Sequence, residues 1–124
     1  MVTFESAVDR AVIGLVSVRH DANGSFVSTP LIYPSGSSVM VWIRRASPHF
    51  VVSDFGFAYR ECALMGADTH QFHSLARSVA DAAGVLMRDD AFEIMSSEEQ
   101  LVGAIRVVAN CSQEAALRFA HRLA

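Results

Sequence analysis

Four groups of residues in this sequence have the types from which sites are built. The first is Ser53-Asp54-Phe55-Gly56, in the middle of the run HFVVSDFGFAYR from His49 to Arg60. An Asp before Phe-Gly holds magnesium in protein kinases, in company with a Gly-rich loop, a strand lysine and an H-R-D loop. None of those companions occurs among the 124 residues. A metal-dependent hydrolase or nuclease would need a second carboxylate beside Asp54, for which Glu61 is available, and a lysine, for which nothing is. All ten basic residues are arginine, which also removes Schiff-base chemistry and a phosphate-loop lysine. The alternative reading of SDFG is structural. Ser53 or Asp54 would accept backbone N–H groups where a helix opens at Phe57, and Gly56 would take a conformation that side chains disfavour. The spacing favours this turn and cap.

The second group is His70 and His73, three residues apart on a helical pattern, with Cys62 or His49 as further ligands. A zinc site wants three or four converging ligands, so the expectation is two surface histidines and no metal. The third is Cys62 with a nearby histidine, or Cys111 with His121, as thiol nucleophiles. Cys62 shares a helix face with Ala58 and Met65, a core position. The acidic pairs Asp89-Asp90 and Glu98-Glu99 suit a hairpin tip and a helix first turn, where negative charge is favoured. No catalytic residue and no cofactor is expected.

The fourth group is Trp42, Arg44, Arg45, His49 and Phe50. Arginine interleaved with aromatics at a sheet end can pair with carboxylates of a protein, or with phosphates and bases of nucleic acid. These five residues are the candidate contact set.

The elements that must position these groups follow from periodicity. Phe4, Ala7, Val8, Ala11, Val12 and Leu15 share one face of an N-terminal helix, with Thr3 before it. Asp21 to Gly24 reads as a turn. Three strands follow: Phe26 to Tyr33, with Pro30 at an edge or bulge; Ser38 to Arg45, alternating strictly; and His49 to Ser53. Their short turns predict a three-stranded antiparallel sheet. Helices are then predicted from Phe57 to Met65 and from Asp68 or Thr69 to Ala83. A small hairpin surrounds Asp89-Asp90, and a last helical region opens on a Ser96/Glu99 capping box, with Asn110 to Ser112 as a break or bend. The fold class is α+β in a single domain, residues 1–124.

Composition sets the outer bounds. The chain is 52% hydrophobic with net charge −3. Its mean hydropathy is +0.30, high for a short chain, and suggests a partner surface, in a homodimer or a hetero-complex. No apolar stretch reaches the ~20 residues that span a bilayer. Two distant cysteines and an N-terminus carrying Glu5 and Asp9 point to a cytoplasmic protein.

From about Gly24 to Ile105 the sequence resembles a bacterial and prophage family catalogued as domain of unknown function 1828. The features are Ser28-Thr29-Pro30 entering a strand, the strand VMVWI, V-S-D-F-G before a helix ending in Gly66, and Gly84-Val85-Leu86 before a hairpin. The family usually carries a second acidic residue where this chain has Phe55, so a carboxylate pair is not implied. The resemblance implies the same element order and a mobile-element accessory or defence-related setting. It brings no catalytic residues. The combined expectation is a non-enzymatic protein acting by protein–protein binding, with nucleic-acid binding through Arg44 and Arg45, or metal-dependent hydrolysis through Asp54 and Glu61, as alternatives.

Overall fold

The computed structural model describes residues 3–11 and 17–123. The elements run in the order α1 (Phe4–Ala11), β1 (Ser17–Asp21), β2 (Gly24–Ile32), β3 (Ser38–Ala46), β4 (His49–Ser53), α2 (Phe57–Leu64), α3 (Thr69–Ala83), β5 (Leu86–Arg88), β6 (Ala91–Ser96) and α4 (Leu101–Leu123). The class is α+β, as expected. Val12 and Leu15, expected on the first helix, lie outside the described residues.

The sheet has six strands, not three, all antiparallel in the order β1-β2-β3-β4-β6-β5. Two things enlarge it. Ser17–Asp21 pairs with β2, and the β5–β6 hairpin does not stand apart but lays β6 against β4, with Val52 opposite Ile94. The central meander joins strands through short turns, so it is legible locally. The β4–β6 pairing spans two helices and leaves no such mark. The hairpin tip is Asp89-Asp90, both with positive φ (51° and 64°), the left-handed pair that a two-residue turn needs. Pro30 sits in a register irregularity between Ser28 and Ile32, past the described β1–β2 pairing, which ends with Ser17 opposite Ser28.

Strict alternation gives the sheet two different faces. One carries Val27, Val41, Ile43, Val52 and Phe92, all fully buried under the helices. Helix α4 lies across this face and buries Leu101, Ile105, Val108, Ala115, Ala116 and Phe119 against it. It runs unbroken through Asn110 to Ser112, correcting the expected break. It also begins at Leu101, so the Ser96/Glu99 capping box is not formed; the Ser96 hydroxyl donates instead to the Ser97 carbonyl at 2.7 Å. Helix α3 has a true capping box, in which Asp68 accepts from the Gln71 N–H at 2.8 Å and Gln71 accepts from the Asp68 N–H at 2.9 Å. Phe4 of α1 packs against Phe50, ring centroids 5.5 Å apart, and closes the core at the β3–β4 end.

One glycine is fixed by close approach. A β-carbon on Gly24 would stand 2.5 Å from the Ile43 carbonyl oxygen and 2.7 Å from Trp42 Nε1. Gly24→Ala should therefore lower stability by about 1 to 3 kcal/mol, the usual range for overpacking. It should also shift the emission of Trp42, which a denaturation series followed by fluorescence would read.

Candidate functional site

Asp54 is wholly buried at the junction between β4 and α2. Its Oδ1 accepts the N–H groups of Gly56 (3.1 Å) and Phe92 (3.0 Å). Its Oδ2 accepts the Ala58 N–H (3.2 Å) and the Ser112 hydroxyl (2.9 Å). Tyr33 lies 2.6 Å from Ser112 Oγ, so with the carboxylate ionised the O–H groups point in sequence from Tyr33 to Ser112 to Asp54. One side chain thus ties together the β4–α2 turn, β6, α4 and, through Tyr33, the end of β2. The N-cap position of α2 is Gly56 (φ 78°), and the cap bonds come from Asp54 two residues earlier. Ser53 Oγ accepts the Phe55 N–H at 3.0 Å.

Four donors occupy both oxygens of Asp54, and among the described residues no cationic side chain bonds to it. Burial pushes the carboxyl above its ordinary value of 3.8; the Ser112 hydroxyl and the Ala58, Gly56 and Phe92 N–H groups oppose that rise without cancelling it. The sign of the linkage follows. The folded chain holds this proton more tightly than the unfolded chain, so the stability it supplies is present below the unfolded value. It is lost as pH rises from about 4 through the folded value. Urea midpoints for wild type minus Asp54→Asn should therefore decrease as pH increases, which separates this group from the other carboxylates. Glu61 takes no part in the network; it accepts the Ser35 hydroxyl at 2.6 Å on the surface side of α2.

The thiols are equally enclosed. Cys62 is fully buried, with Sγ 3.9 Å from the Ala115 carbonyl oxygen, and Cys111 is buried on α4. Burial pushes each thiol up to about 11. Both should resist alkylation in the native protein at pH 8 and react together on unfolding, as a mass-spectrometric time course would show. His70 and His73 are exposed on α3, and His73 Nε2 pairs with Asp90 Oδ1 across the hairpin tip. Among the described residues no three metal-ligating side chains converge.

The other face of the sheet is where exposed apolar chemistry collects. Register places Arg19, Phe26, Trp42, Ser53, Glu93 and Leu86 in one row across all six strands. Arg44, Val51 and Met95 form the next row, and Met40 lies opposite Ser28. Leu86 is 66% exposed and Met95 61%. Phe55, the residue after Asp54, lays its ring over this face, 5.1 Å from Trp42 and 5.5 Å from Phe26, both edge-on. It does so at φ 58° while remaining 50% exposed. A bulky residue in the left-handed region is strained, and such strain collects at functional positions. Beside it a hollow of about 380 Å³ is lined by Trp42, Arg44, Ser53, Phe55, Arg88 and Glu93, among others. Arg19 covers the Phe26 ring at 5.2 Å.

This geometry divides the five residues singled out in the sequence. Trp42 and Arg44 lie on the outer face. Arg45 points to the other side and stacks over Phe4 at 5.6 Å, and Phe50 is buried beneath the same ring. His49 is exposed at the β3–β4 turn. Consecutive strand residues face opposite ways, so Arg44 and Arg45 cannot form one patch. Phe26, Phe55, Leu86 and Met95 lie on this face but are not in the contact set expected from sequence. Phe26 and Trp42 pair only through the β2–β3 register, and Leu86 and Met95 reach the face only through the distant β4–β6 pairing.

The chain matches no family model, no curated protein and no solved structure.

Proposed function

We propose that this is a non-enzymatic binding protein that acts by protein–protein contact through the outer face of its sheet. The observation that carries the reading is the Phe26-Trp42-Phe55 cluster, held part-exposed on a face whose neighbours Leu86 and Met95 are mostly bare. Aromatic anchors beside a hollow of mixed polarity, lined by Arg44, Arg88, Asp89 and Glu93 as well as by Trp42 and Phe55, are the composition of a contact centre. A surface of this kind is stable in water only at a cost in exposed apolar area, which a partner removes. The resemblance to the bacterial and prophage family adds an accessory role in that setting, by covering a partner's working surface as an inhibitor or immunity protein does. A second copy and a different protein are both served by the same residues.

Trp42 is the single tryptophan and sits at the centre of the face, so its emission reports on occupancy directly. Light scattering combined with Trp42 emission over a concentration series tests the self-association mode. A blue shift that tracks rising mass, and both lost in Met95→Glu, is the expected result for a dimer. For a different partner the same blue shift appears at constant protein concentration when that partner is added. Mass growth with unchanged emission would place the contact elsewhere.

A further inference from the structure

On the opposite layer of the molecule, α3 and α4 flank an open surface groove of about 620 Å³ lined by Ser74, Leu75, Ser78, Leu117, Arg118, His121 and Arg122. The chain carries more acidic residues than basic ones, 13 against 10, yet among the described residues no carboxylate lines this groove. Its polar groups are two hydroxyls, two guanidinium groups and an imidazole. Arg118 is held in place by Glu114 on its own helix, Nη2 to Oε1 at 2.7 Å, which leaves its other N–H groups for a ligand. Among the described residues no hydrogen bond or ion pair engages the side chains of His121 or Arg122. The adjoining hollow of about 700 Å³ shares Ser74 and Ser78 and adds His70, His73 and Arg77, with one carboxylate, Asp81. His73 there is paired with Asp90, and Arg77 is without a partner among the described residues.

We propose that the α3–α4 groove binds the phosphate group of a small phosphorylated ligand. Planar guanidinium groups match phosphate oxygens through paired N–H bonds, and serine hydroxyls complete such a shell by donating to the remaining oxygens. A carboxylate ligand is served less well, because it has too few oxygens for the donors offered. Leu75 and Leu117 give the groove an apolar side, Leu117 being 47% exposed, against which the organic body of the ligand rests. The volume falls within the range of small-molecule sites. His121 and Arg122 also close the last turn of α4, where they offset the negative helix end that would otherwise repel an anion. This site shares no residue with the outer sheet face, so it stands or falls independently of the contact reading above.

The test is a titration of the isotope-labelled full chain, followed by amide resonances, with inorganic phosphate, a nucleoside monophosphate and a single-stranded decanucleotide. The expected result is shifts confined to the groove residues Ser74, Ser78, Leu117, Arg118, His121 and Arg122 and their immediate neighbours. The nucleoside monophosphate should bind more tightly than inorganic phosphate, and Kd should rise at least tenfold in an Arg118→Gln, Arg122→Gln double variant of unchanged melting temperature. Shifts scattered over other arginines, or affinity retained in the double variant, would overturn the proposal. A decanucleotide binding at the groove more than tenfold tighter than the monophosphate would also overturn it, in favour of a nucleic-acid backbone.

Discussion

Asp54→Ala should cost about 3 to 5 kcal/mol of folding stability, at the upper end of single-residue effects, because it strands several buried donors at once. The backbone N–H groups of Gly56, Ala58 and Phe92 and the Ser112 hydroxyl all aim at the space the carboxylate fills. Each buried donor left without an acceptor loses roughly 1 to 3 kcal/mol, and the sum is reduced by whatever relaxation the turn allows. Judged from sequence as an ordinary cap, the same substitution ranks at about 0.5 to 2 kcal/mol. Equilibrium urea unfolding separates the two magnitudes. The Ser112→Ala variant provides the control. It removes one donor to Asp54 and the acceptor of the Tyr33 hydroxyl, but Asp54 keeps its three N–H bonds, so the loss should stay at about 1 to 3 kcal/mol, below that of Asp54→Ala. A loss for Asp54→Ala no larger than for Ser112→Ala would reduce the network to a local cap.

The second large effect is expected on binding rather than folding. Trp42→Ala and Phe55→Ala should each weaken partner association by about 2 kcal/mol or more, roughly thirtyfold, as buried aromatic anchors do. Phe55 offers the sharper test, because its backbone is strained where its ring is exposed. Asparagine tolerates the left-handed region, so Phe55→Asn removes the ring without adding backbone strain. Stability should then change by less than about 1 kcal/mol, since the lost ring contacts are offset by the relieved φ. Association should fall as far as in Phe55→Ala. A variant that loses stability and binding in proportion would make Phe55 a packing residue and nothing more.

The contrast between these residues shows what the sequence could reveal. Asp54 is legible as a turn residue because its bonds to Gly56 and Ala58 span two and four positions. Its bonds to Phe92 and Ser112 span 38 and 58, and nothing in local spacing announces them. Ser112 is the clearest case. A polar residue between Asn110 and Gln113 reads as a helix break, whereas its hydroxyl is turned inward and satisfied by Asp54, so α4 continues through it. The β2–β3–β4 meander was legible from alternation and short turns. The β5–β6 hairpin was legible too, from its Asp89-Asp90 tip, but its place in the sheet was not, because β6 reaches β4 only after two helices have intervened; β1, short and polar, left no signal. The sheet face inherits that asymmetry. Trp42 and Arg44 could be found on the strongest strand, but Arg45 and Phe50 follow the opposite parity into the core side. Phe26, Leu86 and Met95 join the face only once the full strand order is known.

The central claim, that the outer sheet face meets another protein, is tested most directly by site-specific photocrosslinking in the native host. A photoreactive phenylalanine derivative at Met95 probes the face, and one at Leu64, which is 73% exposed on α2, serves as the control. A discrete adduct is expected from position 95, either a dimer of the chain or a complex of fixed mass, suppressed by Trp42→Glu and missing from position 64. Equal crosslinking from both positions, or no adduct from position 95 while position 64 yields one, would contradict it.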